Sequence, residues 1–210
     1  GNYAYIDNIK EARKVFVSEF GGTLFTVAKD VKLQVEFNPA QVKAYRLIGY
    51  ENRALANEDF KDDKKDAGDM GSGHSVTAIY EIVPAGVHSS YLKDVDELKY
   101  QNIVSTGNSK ELMTVKIRYK EPDKNKSKQL IHTVKNRNGS KSNQAEFAVA
   151  VAEFGLLLRD SDYKGSANYN DIISRAQKAS GDDAEGSRAE FVQLVKSVQL
   201  LDKNNDEAKK

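Results

Sequence analysis

LMTVKIRYKEPDKNKSKQLIHTVK, residues 112–135, decides the fold. Met113, Val115, Ile117 and Tyr119 alternate with Thr114, Lys116 and Arg118, the period of two that a half-buried strand requires. The turn-forming stretch EPDKNK (121–126) follows, and residues 128–135 return as a second strand, which makes a β-hairpin. Hairpin strands are antiparallel, whereas parallel neighbours need a long crossover, usually a helix. Upstream, Val31, Leu33, Val35 and Phe37 alternate with Lys32, Gln34 and Glu36 up to Asn38-Pro39. VKAYRLIGYE (42–51) is apolar on both faces and predicts a strand buried on both sides; Ser75–Val83, ended by Pro84, predicts another. Strands that follow one another across turns, with no helix between them, build an antiparallel sheet or sandwich rather than βαβ units.

Helical spacing governs the two ends. Near the N-terminus Ile9, Ala12, Phe16 and Phe20 recur on one helical face behind Asp7 as N-cap, which predicts an amphipathic helix packed on a core and stopped at Gly21-Gly22. Beyond residue 141, Phe147, Val151, Phe154 and Leu158 form a stripe with Ala148, Ala152 and Gly155 beside it. Asn143 with Glu146 and Ser187 with Glu190 read as capping boxes. A shorter helix is expected around Tyr169–Ala179, and a last one carries Phe191, Leu194, Val195, Val198 and Leu201. Residues 86–111 show no period beyond one helical turn expected near 95–98. The expected class is α+β: an antiparallel β-sheet or sandwich of about five strands, preceded by one helix and followed by a three-helix subdomain.

Composition excludes whole classes of partner. The 210 residues carry 32 basic and 31 acidic side chains, so no net field draws the chain to nucleic acid or an anionic membrane. No apolar run reaches the roughly 18–20 residues that span a bilayer, and direct membrane insertion is not expected. The absence of cysteine removes disulfides, thiolate metal sites and cysteine nucleophiles together.

One stretch invites chemistry: EDFKDDKKDAGDMGSGHSVTAIYEIVP, residues 58–84. A calcium loop needs oxygen ligands at its first, third and fifth positions. Starting at Asp59, Asp62, Asp63, Asp66 or Asp69, the third position falls on Lys61, Lys64, Lys65, Gly68 or Gly71. The acid-rich turn at 160–171 places Lys164 at its fifth position and fails likewise. Gly68, Gly71 and Gly73 lead into a strand, not into the helix N-terminus that a phosphate cradle uses. His74 lies between Ser72 and Ser75 without a nucleophile elbow, H-E-x-x-H is absent, and His132 reads as a core histidine beside Leu130 and Val134. No catalytic residue, metal ligand or cofactor is expected. The long charged loop remains as a candidate interaction surface, with Asp62, Asp63, Asp66, Asp69 and His74 as its polar groups.

Three segments carry a family likeness: VKLQVEFNPAQVKAYRLIGYENRAL (31–55), DDKKDAGDMGSGHSVTAIYEIVP (62–84) and AVAEFGLLLRDSDYKG (150–165). They resemble the C-terminal region of bacterial von Willebrand factor A-domain proteins of the YfbK-like type, while 86–111 departs from that pattern. The resemblance implies a larger lipoprotein or secreted protein of the cell envelope, facing the periplasm or the outside. Residues 1–29 would be the last helix and exit strand of an upstream A domain, 30–140 a β-rich domain, and 141–210 a helical subdomain. The Asp-x-Ser-x-Ser metal motif of A domains is absent here, so no metal residue carries over. The implied role is non-enzymatic: an accessory module for protein–protein association, its partners unknown but including its own A domain. The alternatives are a scaffold for that A domain alone, or a metal-dependent binder or hydrolase built on Asp66, Asp69 and His74.

Overall fold

A computed structural model describes residues 5–18, 20, 22, 25–49, 56–89, 92, 110–137, 139 and 141–208. The chain is α+β, as the sequence predicts, but its strands divide between two antiparallel sheets. The larger has four strands in the order β3-β1-β5-β6: β1 is Thr26–Phe37, β3 Gly68–Gly71, β5 Glu111–Lys120 and β6 Lys128–Lys135. The smaller is a ribbon of β2 (Val42–Ile48) and β4 (Ile79–Pro84). The hairpin that decides the class is β5–β6, with Ile117 opposite Leu130 and Val115 opposite His132. The expected helical turn near 95–98 lies outside the described residues.

Asn38 sends the chain from one sheet to the other. Its amide N–H donates to Leu112 O at 2.9 Å and its side-chain amide to Glu111 O at 2.6 Å, anchoring it to β5. Its carbonyl accepts from Gln41 and Val42, and its Oδ1 from Ala40 N, which closes the turn around Pro39. The ribbon then works on both faces. Tyr45 and Tyr80 meet Phe37 at ring-centroid distances of 4.5 and 5.5 Å, covering that end of the large sheet. Arg46, on the other face, pairs with Glu81 at 2.5 Å and lies 4.1 Å over the ring of Tyr163. β2 therefore bridges sheet and helices with both faces in use, but only Val42 in it is fully buried, and it stops at Gly49. The expectation of a strand buried on both sides is corrected accordingly, and its last two residues, 50–51, lie outside the described residues.

Three helices, α2 (Asn143–Leu158), α3 (Tyr169–Lys178) and α4 (Ser187–Ala208), enclose Ala150, Phe154, Ile172, Ala176, Val192 and Val195. α2 is apolar around most of its circumference, so it can pack on two sides. Phe147 and Phe154 face the helical core, whereas Val151 and Leu158 are exposed, so the predicted single stripe is in fact two faces. Ala148, Ala152 and Gly155 line a cleft of about 380 Å³ against Ile48 and Ile79 of the ribbon. The caps differ by a residue or more from the predicted boxes. Ser142, not Asn143, caps α2 by accepting from Ala145 N, and the Asp183 carboxylate takes the amides of Arg188 and Ala189 at the start of α4. The turn after α2 holds an Asp160–Lys164 ion pair where a calcium ligand would be needed.

The first helix departs furthest from expectation. α1 spans only Ile9–Arg13 and continues as a π-helical turn, Lys14–Ser18. Asn8 caps it, accepting from Glu11 N at 2.9 Å, while Asp7 accepts from the Asn8 side chain. It buries no residue: Ile9, Phe16, Val17 and Phe20 all face solvent, and among the described residues the predicted packing on a core is absent.

Candidate functional site

The charged loop is fixed to the polar face of the large sheet. Lys32 of β1 and Arg118 of β5 are register partners, and Lys120 lies opposite Lys29 across a β-bulge. These strand positions direct three cations toward one side. The loop crosses them as a 3₁₀ turn, Asn57–Phe60, with the Phe60 ring buried, and rejoins the sheet as β3. Lys32 is only 3% exposed, and its ammonium donates to Asp59 O at 3.2 Å and to Asp62 O. Arg118 meets Asp63 at 2.8 Å, and Asp63 also accepts from the Ser127 hydroxyl at the end of the β5–β6 turn. Lys120 donates to Asp30 at 2.6 Å and to Asp63 O at 2.8 Å.

Asp30 is the pivot. It sits in the β1 bulge with φ 51°, a left-handed conformation uncommon for residues other than glycine. Its carboxylate accepts from Ala67 N as well as Lys120, and its own amide donates to Asp69 at 3.1 Å. One residue thus holds the loop from both sides. The electrostatics follow from these contacts. The hydrogen bond from Lys120 holds the Asp30 carboxyl below its ordinary range and raises the Lys120 ammonium. Hydrogen bonds from Ser127 and then Arg118 bring Asp63 down to about 2.

Of the loop groups predicted from sequence, Asp63 and Asp69 are thus engaged with the sheet, and Asp62 accepts from Lys64 N within the loop. Asp66 is exposed, its charge adding to the field that raises Lys120. His74 stands apart in a turn, its imidazole packed on Gly22, where a Cβ on that glycine would fall 2.3 Å from Nε2. His132 lies on the sheet face of Leu130 but is exposed, which corrects its reading as a core histidine. Among the described residues no three His, Asp or Glu side chains stand close enough to hold a metal ion. Sequence reasoning missed the strand half of this arrangement: Asp30, Lys32, Arg118, Lys120 and Ser127. The signal available was the cationic polar face of two strands facing an acidic loop.

This arrangement is a latch, with Asp30 and Asp63 tied by direct bonds to strand cations. Its pH dependence has a definite sign. Asp63 titrates lower in the folded chain than its ordinary 3.8, so its contribution is complete above about pH 4 and is lost as pH falls toward 2. Thermal melts should show Asp63→Asn less stable than the parent at pH 7, with the gap closing as the pH reaches about 2. A gap unchanged between pH 7 and 2 would disprove the pairing.

The sequence profile described as "Uncharacterized protein YfbK, C-terminal" matches residues 22–201. "Uncharacterized protein YfbK" of Escherichia coli (strain K12) is 41% identical over 198 residues, covering 93% of this chain and 34% of the relative. The chain therefore spans about a third of the length of the curated relative it matches. No solved structure matches it. With profile and relative agreeing across both sheets and all three C-terminal helices, the chain belongs to the YfbK C-terminal family.

Proposed function

We propose that the chain is a non-catalytic accessory module of a longer cell-envelope protein, holding an adjoining unit in a fixed orientation for contact with other proteins. The observation that carries this reading is the N-terminal segment. A helix of one or two turns is not stable alone in water and needs an apolar partner. Here Ile9 is 84% and Phe16 63% exposed. The family match begins at Gly22, so this segment lies outside the family unit. Its covering surface then belongs to the adjoining part of a polypeptide that, in the E. coli relative, is about three times as long as the match. The charged loop supports the non-catalytic part, because its engaged carboxylates serve the latch and are tied to cations or amides. The von Willebrand factor A resemblance supplies the nature of the adjoining unit and the envelope location.

The test is to place this chain in the E. coli relative in exchange for the matching third, and to replace Ile9 and Phe16 together by aspartate. Two buried apolar side chains lost should lower the melting temperature of the chimera by about 5 °C or more, and that of the isolated chain by less than about 1 °C. Equal, small effects in both would sink the reading.

A further inference from the structure

The large sheet has a second face, opposite the latch, and its composition is different. Register places Leu33, Ile117 and Leu130 side by side on it. The next rung is Val35, Val115 and His132, and the third is Phe37, Met113 and Val134. The third rung is closed where Tyr45 and Tyr80 pack on Phe37. The first is open: Leu33 and Leu130 are exposed and Ile117 is only half-buried between them. A sheet whose polar face already carries its charged cover, and whose opposite face leaves Leu33 and Leu130 on the first rung and His132 on the second exposed, lacks one layer of its core among the described residues.

We propose that this apolar face is a docking surface for another part of the same longer polypeptide, an apolar helix or sheet face from outside the family unit. The proposal rests on the accessory-module reading above. Two observations favour a tethered occupant over a second copy. The open patch, about two strand spacings by two rungs, covers on the order of 100 Å², against roughly 800 Å² per partner in a stable interface between separate proteins. A patch that small holds a partner only at the high effective concentration that covalent linkage provides. The curated relative supplies such a tether, with about twice as much chain outside the match as within it. Lys128 and Lys135 at the two ends of the edge strand β6 also oppose strand-to-strand pairing with a copy.

β6 contains its own control. Leu130 points to the apolar face and its neighbour Ile131 to the opposite one, and they are 56% and 62% exposed. Hydroxyl-radical footprinting of the isolated chain and of the chimera, read by mass spectrometry at Leu33, Leu130, Ile131 and Phe16, compares them directly. Docking should lower the oxidation of Leu33 and Leu130 at least about fivefold in the chimera, as a dry interface core excludes water, and leave Ile131 unchanged. Phe16 protected with Leu130 still reactive overturns the sheet face alone. Both still reactive overturns the accessory-module reading as well. Loss of reactivity at Leu130 and Ile131 together means that the edge of β6, not its face, is engaged, and overturns the proposal. Concentration-dependent protection in the isolated chain overturns it in favour of a second copy. Should the chimera not fold, the native relative against its own matching third, read at the aligned positions, gives the same outcomes.

Discussion

Phe154→Ala is expected to destabilise the chain by about 3–5 kcal/mol, the cost of losing a buried aromatic ring and leaving its cavity. Phe154 is buried against Ala150, Ile172, Ala176, Val192 and Val195, and its ring meets Phe191 edge-on at a centroid distance of 5.6 Å. Two of those neighbours are alanines on helix backbones, which have no side-chain reach with which to fill the void. The edge-to-face contact adds about 0.5–1.5 kcal/mol beyond the area term. For a chain of this length each kcal/mol moves the melting temperature by about 2–4 °C, so a fall of about 10 °C is expected in a far-UV circular dichroism melt. Phe154→Leu should recover part of it. α2 also faces the ribbon through Ala148, Ala152 and Gly155, so the near-UV tyrosine signal of Tyr45 and Tyr80 should be lost in the same transition. A melting temperature within about 2 °C of the parent would show that this cluster does not carry the stability assigned to it.

Local pattern made the strands and helices readable, and long-range pairing hid the rest. The β5–β6 hairpin was legible because both strands, their alternation and their turn are contiguous in sequence. α3 and α4 were legible because each has one apolar stripe. β3 was not: GDMG has no alternation and no β-branched residue, and it forms a strand only because β1 presents a free edge to it. The separation into sheet and ribbon was hidden for a similar reason, since the Asn38 side chain bonds across 73 residues to Glu111. α1 shows the opposite failure. Its helical spacing is real, but spacing gives a face and not what covers it.

The candidate site was half legible. Asp62, Asp63, Asp66, Asp69 and His74 stand out as a charged, glycine-rich loop, where calcium chemistry fails on spacing and a phosphate cradle fails because the glycines lead into a strand. The partners that give those acids their role come from β1 and β5: Asp63 reaches Arg118 across 55 residues and Ser127 across 64. A lysine at a polar strand position reads as solvated until the register shows what crosses above it. Lys32 was therefore the least legible residue of the latch, although it is the most buried charge among the described residues.

Gly71→Ala should detach the loop from the sheet, at a cost of about 3 kcal/mol, the upper end of what overpacking brings. Gly71 is buried at the end of β3, paired with Thr26, and the next amide, Ser72 N, donates to Phe25 O at 2.8 Å. A Cβ built on it would lie 1.6 Å from the carbonyl oxygen of Gly22 and 2.5 Å from its carbonyl carbon. Both are backbone atoms, so no side chain can rotate away, and relief requires the backbone of β3 or of Gly22 to shift. Gly68 is the control, three residues away in the same strand: a Cβ there meets nothing within 4 Å. Gly68→Ala should be neutral or gain up to about 1 kcal/mol by narrowing the unfolded ensemble. The latch gives a second readout. Asp63 meets Arg118 only while the loop is docked, so the loss of stability between about pH 4 and pH 2 should be shallower in Gly71→Ala than in Gly68→Ala. If both variants melt together and keep the parent's acid slope, the close approach of Gly22 and Gly71 does not hold the loop. If they separate on both measures, one backbone contact governs whether a strip of strand cations is covered or open.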